Sequence, residues 1–320
     1  MSGLNIKPES ISALAGKTAL VVGDIMLDRY TFGEITRVSP ESAAAPVVKK
    51  IKEKFVLGGA ANVASNIVGL GAQVYLCGVI GQDQYKEIVI SLLNERGINS
   101  DSILLSQEKP TTVKQRLIVN NRQIARIDDE STAPLDKEED RKLLVYIIKA
   151  LEKSDVIIFS DYAKGVISKN LASNIINLAK KKNKKIIGDI KPINKSLFRD
   201  IDVITPNIKE AEELSGEKDL SKIGPKLVSD FNADVIITRG ADGASLFCKN
   251  GDIHHLPAHG AQAFDVTGAG DTFVATLSLA LATGQSLPQS TFLANCASSI
   301  VVRKIGTDIV SLAEIKKELL

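Results

Sequence analysis

Short apolar runs rich in β-branched residues recur along this chain between longer stretches of helical periodicity, and this alternation restricts the fold more than any other feature. TALVVGD (18–24), SDVIIFSD (154–161), KKIIGDI (184–190), DVIT (202–205) and ADVIITRG (233–240) are continuous rather than alternating in polarity. That is the pattern of strands buried on both faces. Helical patterns cover 59–70, 84–96, 136–152, 168–182, 207–215, 219–231, 270–283 and 289–303. Strands alternating with helices predict an α/β fold, with a mostly parallel central sheet covered on both sides. Asn207 and Asp219 stand where helix caps belong, and Gly97 and Gly284 follow helical patterns as stops. With 320 residues the expectation is one large domain over 1–320.

Two segments break this rhythm, 30–57 and 107–128. The second, TTVKQRLIVNNRQIARID, alternates as a strand does around an Asn-Asn turn. Together they predict one small antiparallel sheet projecting from the main body as a lid over a ligand. Such a sheet leaves edges and an apolar face uncovered, so pairing of lids in a homodimer is expected. Farther on, Asn250-Gly251 between two extended runs predicts a two-residue hairpin at one edge of the large sheet. KKKNKK (180–185) is read as the solvated end of a helix.

Charge narrows the partners. Forty basic and 38 acidic residues leave a net charge of +2, which argues against nucleic acid or an anionic membrane and for small ligands. Cys77, Cys248 and Cys296 are widely spaced, without a CxxC pair, as expected for thiols in a reducing compartment. No apolar run has the length of a membrane span, and MSGLNIKPES lacks a signal pattern. A soluble cytoplasmic protein is the expectation.

The chemistry concentrates in DVTGAGDTF (265–273), at the mouth of an apolar helix. Glycine and a helix N-terminus together present backbone N–H groups to an anion without side chains in the way. The N–H groups of Ala269, Gly270 and Asp271, after the turn at Gly268, are therefore read as an anion hole. A carboxylate beside such a hole would repel a resting phosphate, so Asp271 is assigned to accept the proton of a hydroxyl attacking phosphorus; the alternative is a helix cap with glycines in a tight turn. Other phosphate loops are excluded. Gly16-Lys17-Thr18 lacks the first glycine of a Walker loop and precedes its strand, and Val74 and Phe273 occupy the third glycine position of the dinucleotide fingerprint.

Further polar groups fall at strand ends and helix starts. Gly58-Gly59 with Asn62 suits close approach to a polyhydroxyl ligand, or tight helix-to-sheet packing. Asp24 and Asp28 in GDIMLDRY follow the first strand, where ligands of open parallel sheets bind. Asn207 and Glu210 share a helix face and are placed to hold the water shell of Mg²⁺, or to cap that helix. His254, His255 and His259 cluster around Pro257, which forbids a helical metal face, so zinc is not expected.

Taken together these features resemble the ribokinase-like, or PfkB, carbohydrate kinases. GGAANVA (58–64), followed by Gly71 and Gly81, is similar to the family's N-terminal signature, DVTGAGDTF to its C-terminal one, and N-x-x-E lies between them. Thr276 departs from the usual Ala or Gly. GDIMLDRY, EITRVSPESAAAPVV, TTVKQRLIVNNRQIARID and SDYAKGVIS resemble more narrowly the members that phosphorylate D-glycero-β-D-manno-heptose 7-phosphate, although SAAAP replaces part of their common text. In many bacteria that kinase is fused to a nucleotidyltransferase domain, for which this chain is too short.

The resemblance implies a ribokinase-like three-layer fold, ATP and Mg²⁺ as cofactors, and Asp271 as general base with the backbone of 268–271 as anion hole. It places Asn207 and Glu210 on the ATP and Mg²⁺ side, and Thr238, Gly240, Gly243 and Asn295 along the nucleotide. It makes Asp28, Gly58, Gly59 and Asn62 sugar contacts. It also implies a K⁺ option through Asp265, Thr267 and carbonyls near Gly306. A phosphorylated sugar brings a dianion, for which Arg29, Lys114, Arg116, Arg126 and Lys164 are candidate partners, Lys164 foremost for its place after VIIFSD. The expected reaction is transfer of the γ-phosphoryl group to the anomeric hydroxyl of heptose 7-phosphate. The alternatives are another sugar or sugar-phosphate kinase of the family, or a sugar sensor without catalysis.

Overall fold

The structure is a computed structural model, and it describes residues 6–42, 45–260, 266–304 and 308–319. After a short helix α1 (Pro8–Ser12) come β1 (Thr18–Gly23), a long hairpin of β2 (Ile25–Val38) and β3 (Pro46–Gly59), α2 (Ala60–Gly69), β4 (Gln73–Gly81), α3 (Lys86–Glu95) and β5 (Ile103–Ser106). A second hairpin, β6 (Thr112–Val119) and β7 (Arg122–Asp129), leads to α4 (Lys137–Lys153), β8 (Val156–Ser160), α5 (Lys169–Lys181), β9 (Lys185–Asp189) and β10 (Val203–Ile204). Then follow α6 (Ile208–Ser215), α7 (Leu220–Phe231), β11 (Asp234–Thr238), β12 (Ala244–Phe247), β13 (Ile253–Leu256), α8 (Ala269–Ala282), α9 (Leu287–Val301) and α10 (Leu312–Leu319).

Nine strands form the main sheet in the order β13-β12-β11-β10-β9-β8-β1-β4-β5. It is parallel from β5 to β11, and β12 and β13 close one edge as an antiparallel hairpin. The continuous apolar runs have a simple cause. In β1, Ala19 and Val21 enter the core under α2, α8 and α9, while Leu20 and Val22 enter the core under α4, α5 and α7; Val156 and Ile158 divide from Ile157 and Phe159 in the same way. Each strand residue is buried on one side or the other, and the result is the expected three-layer α/β fold.

The expected helices are present. Asn207 caps α6, Asp219 caps α7, and Gly97 and Gly284 adopt left-handed backbone after α3 and α8. β4, β5, α1 and α10 were not anticipated. The Asn250-Gly251 hairpin forms the expected edge, but its loop is corrected to three residues: Cys248 N–H donates to Asp252 O, Gly251 N–H to Cys248 O, and Gly251 takes φ 93°.

The two segments that break the rhythm form a separate four-stranded sheet, β3-β2-β6-β7. Asn120 and Asn121 both have positive φ in its second hairpin, which is the twist a two-residue turn needs. One correction applies: the sheet is mixed, because β2 and β6 pair in parallel over Met26–Gly33 and Thr112–Val119. The two hairpins are separate in sequence, so nothing local to either fixes their relative direction.

β1 and β8 approach closely at their carboxyl ends. A Cβ on Gly23 would lie 1.9 Å from Ser160 O, a backbone atom that cannot rotate away. Gly23→Ala is expected to lower unfolding free energy by about 3 kcal/mol or more, since overpacking here must push these central strands away from each other. Urea denaturation checks this, and an unchanged midpoint would contradict it.

Candidate active site

The strand order reverses between β1 and β8. From β1 the chain builds outward through β4 to β5, then returns to β8 and builds the other way. Loops from the two halves diverge here and leave a crevice. Asp24, directly after β1, fills its base. Its N–H donates to Ser160 O (3.2 Å), its carbonyl accepts Ala60 N–H (3.0 Å), and its buried carboxylate accepts the N–H groups of Tyr162 (2.8 Å), Lys164 (3.1 Å) and Val166 (3.3 Å). Burial raises the pKa of Asp24 and these hydrogen bonds oppose the rise. Asp161 braces the same loop by accepting from Ala163 N–H and Asn194 Nδ2, both at 2.9 Å. Asp24 thus shapes the site rather than waiting for a ligand.

Across the crevice, α8 begins after Gly268, which has φ 80° and offers no side-chain cap. Ala269 N–H donates to Val266 O (3.2 Å). The expected trio of donors is therefore corrected to two, the N–H groups of Gly270 and Asp271. A Cβ on Gly270 would meet nothing within 4 Å, so this helix mouth is open to a ligand. Asp271 does not cap the helix. It is 6% exposed, and both its oxygens are held by other elements: Oδ1 accepts Tyr162 Oη and Oδ2 accepts Asn62 Nδ2, each at 2.6 Å. Burial pushes its carboxyl up to about 6, against the pull of those two hydrogen bonds.

The glycine pair before α2 is required by close approach. Gly59 has φ 56°, and a Cβ there would lie 2.3 Å from Asp24 O; one on Gly58 would lie 2.9 Å from Asp28 Oδ2. One turn beyond Asn62, Asn66 Oδ1 accepts Thr272 Oγ1 (2.8 Å), so the pairs Asn62–Asp271 and Asn66–Thr272 join α2 to α8. The i, i+4 spacing of NVASN was the available signal for Asn66.

Asp28 on β2 is buried against the Arg116 guanidinium of β6, which also lies over the Tyr30 ring. Every other candidate for a substrate phosphate has an acidic partner as well: Lys164 with Glu130 (2.7 Å), Lys114 and Arg126 with Asp128 (3.8 and 2.9 Å), Arg29 with Glu53 (2.5 Å). Burial lowers the pKa of Lys114. Glu130 Oε2 is buried and has no hydrogen-bond partner among the described residues.

On the far side of α8 lies a cavity of about 440 Å³, and Thr238, Gly240, Gly243 and Asn295 all line it with Ala269 and Gly270. Asn295 Nδ2 is buried there without an acceptor among the described residues, a donor left for a ligand. Asn207 pairs with Thr238 through an isolated bridge and forms a capping box with Glu210, so the capping reading of N-x-x-E is realised. Glu210 also pairs with Lys191. Asp189, at the end of β9, is pushed up to about 7 by burial, with Lys191 pulling it down and Glu210 and Asp271 pushing it further up. Thr267 lies one residue before Gly268, whereas Asp265 and Gly306 fall outside the described residues.

Tyr162, Lys191 and Asp189 escaped the sequence reading, although DYAKG and GDIKP carry them. Lys191 stands 5.3 Å from the Tyr162 ring centroid, Tyr162 bonds to Asp271, and the charges of Lys191 and Asp189 both act on the Asp271 site. Among the described residues no cluster of three or more His, Cys, Asp or Glu side chains is arranged for a metal, and no helix is long and apolar enough to cross a membrane.

Residues 17–314 match the family described as pfkB family carbohydrate kinase. The chain belongs to this family. It is a carbohydrate kinase. Among curated relatives, the Bifunctional protein HldE of Geobacter sulfurreducens is 39% identical over 315 residues, covering 96% of this chain and 64% of that protein. HldE of Helicobacter pylori is 38% identical over 304 residues, covering 93% and 65%. The chain thus spans just under two thirds of the length of these relatives. Arabidopsis thaliana ribokinase complexed with ribose and ATP superposes with a TM-score of 0.76 at 20% identity, over 95% of this chain and 98% of that one. Escherichia coli phosphofructokinase-2 in complex with potassium gives 0.77 at 21%, over 95% and 98%. At this identity the likeness establishes the fold, which is ribokinase-like.

The Asp28–Arg116 pair yields a direct test. Arg116→Ala strands a buried carboxylate and is expected to cost about 2–4 kcal/mol, much of it recovered when Asp28→Asn is added. Denaturant unfolding of the single and double variants measures this, and additive losses would contradict the pairing.

Proposed function

We propose that this kinase transfers the γ-phosphoryl group of ATP to the anomeric hydroxyl of D-glycero-β-D-manno-heptose 7-phosphate, giving the 1,7-bisphosphate for ADP-heptose synthesis, a lipopolysaccharide precursor. The observation that carries the reaction type is the position of Asp271, a buried carboxylate beside the open N-terminus of α8, with the cavity that holds the orphaned Asn295 donor on one side and Asn62, Gly58 and Asp28 on the other. The heptose assignment is supported by the HldE relatives at 36–39% identity and by the Arg116 guanidinium beside Asp28. The nucleotidyltransfer activity of such bifunctional relatives is not assigned to this chain.

In this reading ATP lies along Thr238, Gly240, Gly243 and Asn295, with its terminal phosphates at the N–H groups of Gly270 and Asp271. Asp28, Gly58, Gly59 and Asn62 face the sugar, and Lys164 and Arg116 match its phosphate by exchanging their carboxylate partners. Asp271 receives the hydroxyl proton as the bond to phosphorus forms and ADP departs; positioning and charge neutralisation supply the remaining catalysis. The carboxylates of Glu210 and Asp189, hard oxygen donors that both interact with Lys191, suit a hydrated Mg²⁺, which would offset charge on the transferring phosphates. Asp265 and Thr267 remain the proposed K⁺ ligands.

A cytoplasmic setting fits the free cysteines. A homodimer through the lid fits the exposed apolar residues of the small sheet, Ile35, Val38, Ile51, Ile124 and Ile127. One observation favours a second reading, a kinase of an unphosphorylated sugar: Lys114, Arg116, Arg126 and Lys164 each already have a carboxylate partner. A sensor without catalysis is disfavoured, because binding alone has no use for a buried carboxylate at an anion site.

Asp271→Asn is expected to reduce turnover by about 1,000-fold or more while leaving ATP affinity within about twofold. Coupled ADP-release kinetics and ATP titration calorimetry separate the two effects, and undiminished turnover would remove Asp271 as the base. Because this base must be ionised, wild-type kcat is expected to fall as pH drops through about 6. Lys164→Ala is expected to raise KM for phosphorylated sugars alone; an equal rise for unphosphorylated sugars would favour the second reading.

A further inference from the structure

Asp271 has a paired oxygen on each side, yet a general base must offer one of them to the incoming hydroxyl. The two donors differ in their freedom to leave. Tyr162 is fixed from three directions: its N–H is bonded to Asp24, its neighbours Lys164 and Val166 are bonded to the same carboxylate, and Lys191 lies over its ring. Between them Ala163 takes φ 56°, a conformation held by its N–H bond to Asp161. Asn62 sits on α2 with an amide that both donates and accepts, so it can pair instead with a sugar hydroxyl.

We propose that Tyr162 is a positioning residue for phosphoryl transfer: its phenol holds Asp271 Oδ1 throughout, so that Oδ2 is the oxygen Asn62 vacates for the acceptor hydroxyl. This rests on the assignment of Asp271 as the base. In the step, the hydroxyl proton passes to Asp271 Oδ2, the sugar oxygen bonds to the γ-phosphorus, and the bond from phosphorus to the bridging oxygen breaks with its electron pair leaving on ADP. Tyr162 keeps its own proton, consistent with a phenol whose pKa burial and the Asp271 charge drive well above the usual value.

The same hydrogen bond sets when the base is available. Asp271 is destabilised as an anion by burial and by Asp28 on β2, and stabilised by Tyr162, by Asn62 on α2 and by Lys191 after β9. Asp189 at the end of β9 also faces it. A hydrogen bond to the charged form favours that form, so removing the phenol hydroxyl raises the proton affinity of Asp271 further. Position and ionisation are thereby supplied by one group, fixed in place by Asp24.

The test compares pH profiles of kcat for the wild type, Tyr162→Phe, and a protein carrying 3-fluorotyrosine at position 162. For Tyr162→Phe the acid limb of kcat is expected to move about one unit upward, so that kcat falls about twofold at neutral pH and about tenfold near pH 5, with KM for both substrates little changed and the loss regained at alkaline pH. The fluorinated phenol is a stronger donor of nearly the same shape, and its acid limb is expected to move downward. Titration of ATP itself is common to all three proteins and cancels. An acid limb that stays put, or moves the same way in both variants, would overturn the inference, because a purely structural tyrosine lowers activity without moving the limb in opposite directions. Should Tyr162→Phe fail to fold by thermal melting, the fluorotyrosine protein alone decides. Turnover retained in Asp271→Asn would instead remove the base assignment, so the two failures are distinguishable.

Discussion

The carboxylate of Asp24 is the contact on which the site depends. It lies where the two halves of the main sheet diverge, and it gathers the N–H groups of the loop after β8 while its backbone joins β8 and the start of α2. Those N–H groups would otherwise be left without partners in a buried crevice, a cost of about 1–3 kcal/mol each. Satisfying them with one anion forces the loop into a single path. That path delivers Tyr162 to one side of Asp271, and the α2 start delivers Asn62 to the other. The scaffold and the proposed chemistry therefore meet in one buried residue.

The large sheet was legible because its strands are buried on both faces and leave unbroken apolar runs. β4 was less so, since QVYLCGVIG opens polar and carries glycine within the run. Helix ends were readable from Asn207, Asp219, Gly97 and Gly284, whose roles are local. Strand direction in the small sheet was not, because β2 and β6 meet across a long separation. The glycine-rich mouth of α8 could be read from its own residues, whereas Thr238, Gly240, Gly243 and Asn295, which line the cavity beside it, came only from the resemblance to the family. Tyr162 could not: its contact with Asp271 spans 109 positions and no spacing rule reaches that far. Asp24 was noticed for its place after a strand, but its partners are backbone groups that a sequence does not distinguish.

The candidate cations for a substrate phosphate are already paired before any ligand arrives. Arg116, Lys164, Lys114 and Arg126 are matched by Asp28, Glu130 and Asp128, so a sugar phosphate would enter by exchange rather than by filling an unpaired positive pocket. Exchange costs little where the displaced carboxylate can reach water, and it penalises ligands that bring no charge of their own. This is a physical route by which one family fold could select phosphorylated over plain sugars. The buried, unpartnered Oε2 of Glu130 marks the place where the present pairing is least complete among the described residues.

The central claim is that Asp271 activates the anomeric hydroxyl of a phosphorylated heptose. It is tested most directly by offering heptose 7-phosphate, ribose and fructose 6-phosphate together in limiting ATP, and identifying the products by ³¹P NMR. The account predicts a new anomeric phosphate resonance on the heptose, with its original phosphate retained. Preferential phosphorylation of ribose or fructose 6-phosphate, or transfer to any hydroxyl other than the anomeric one, would contradict it.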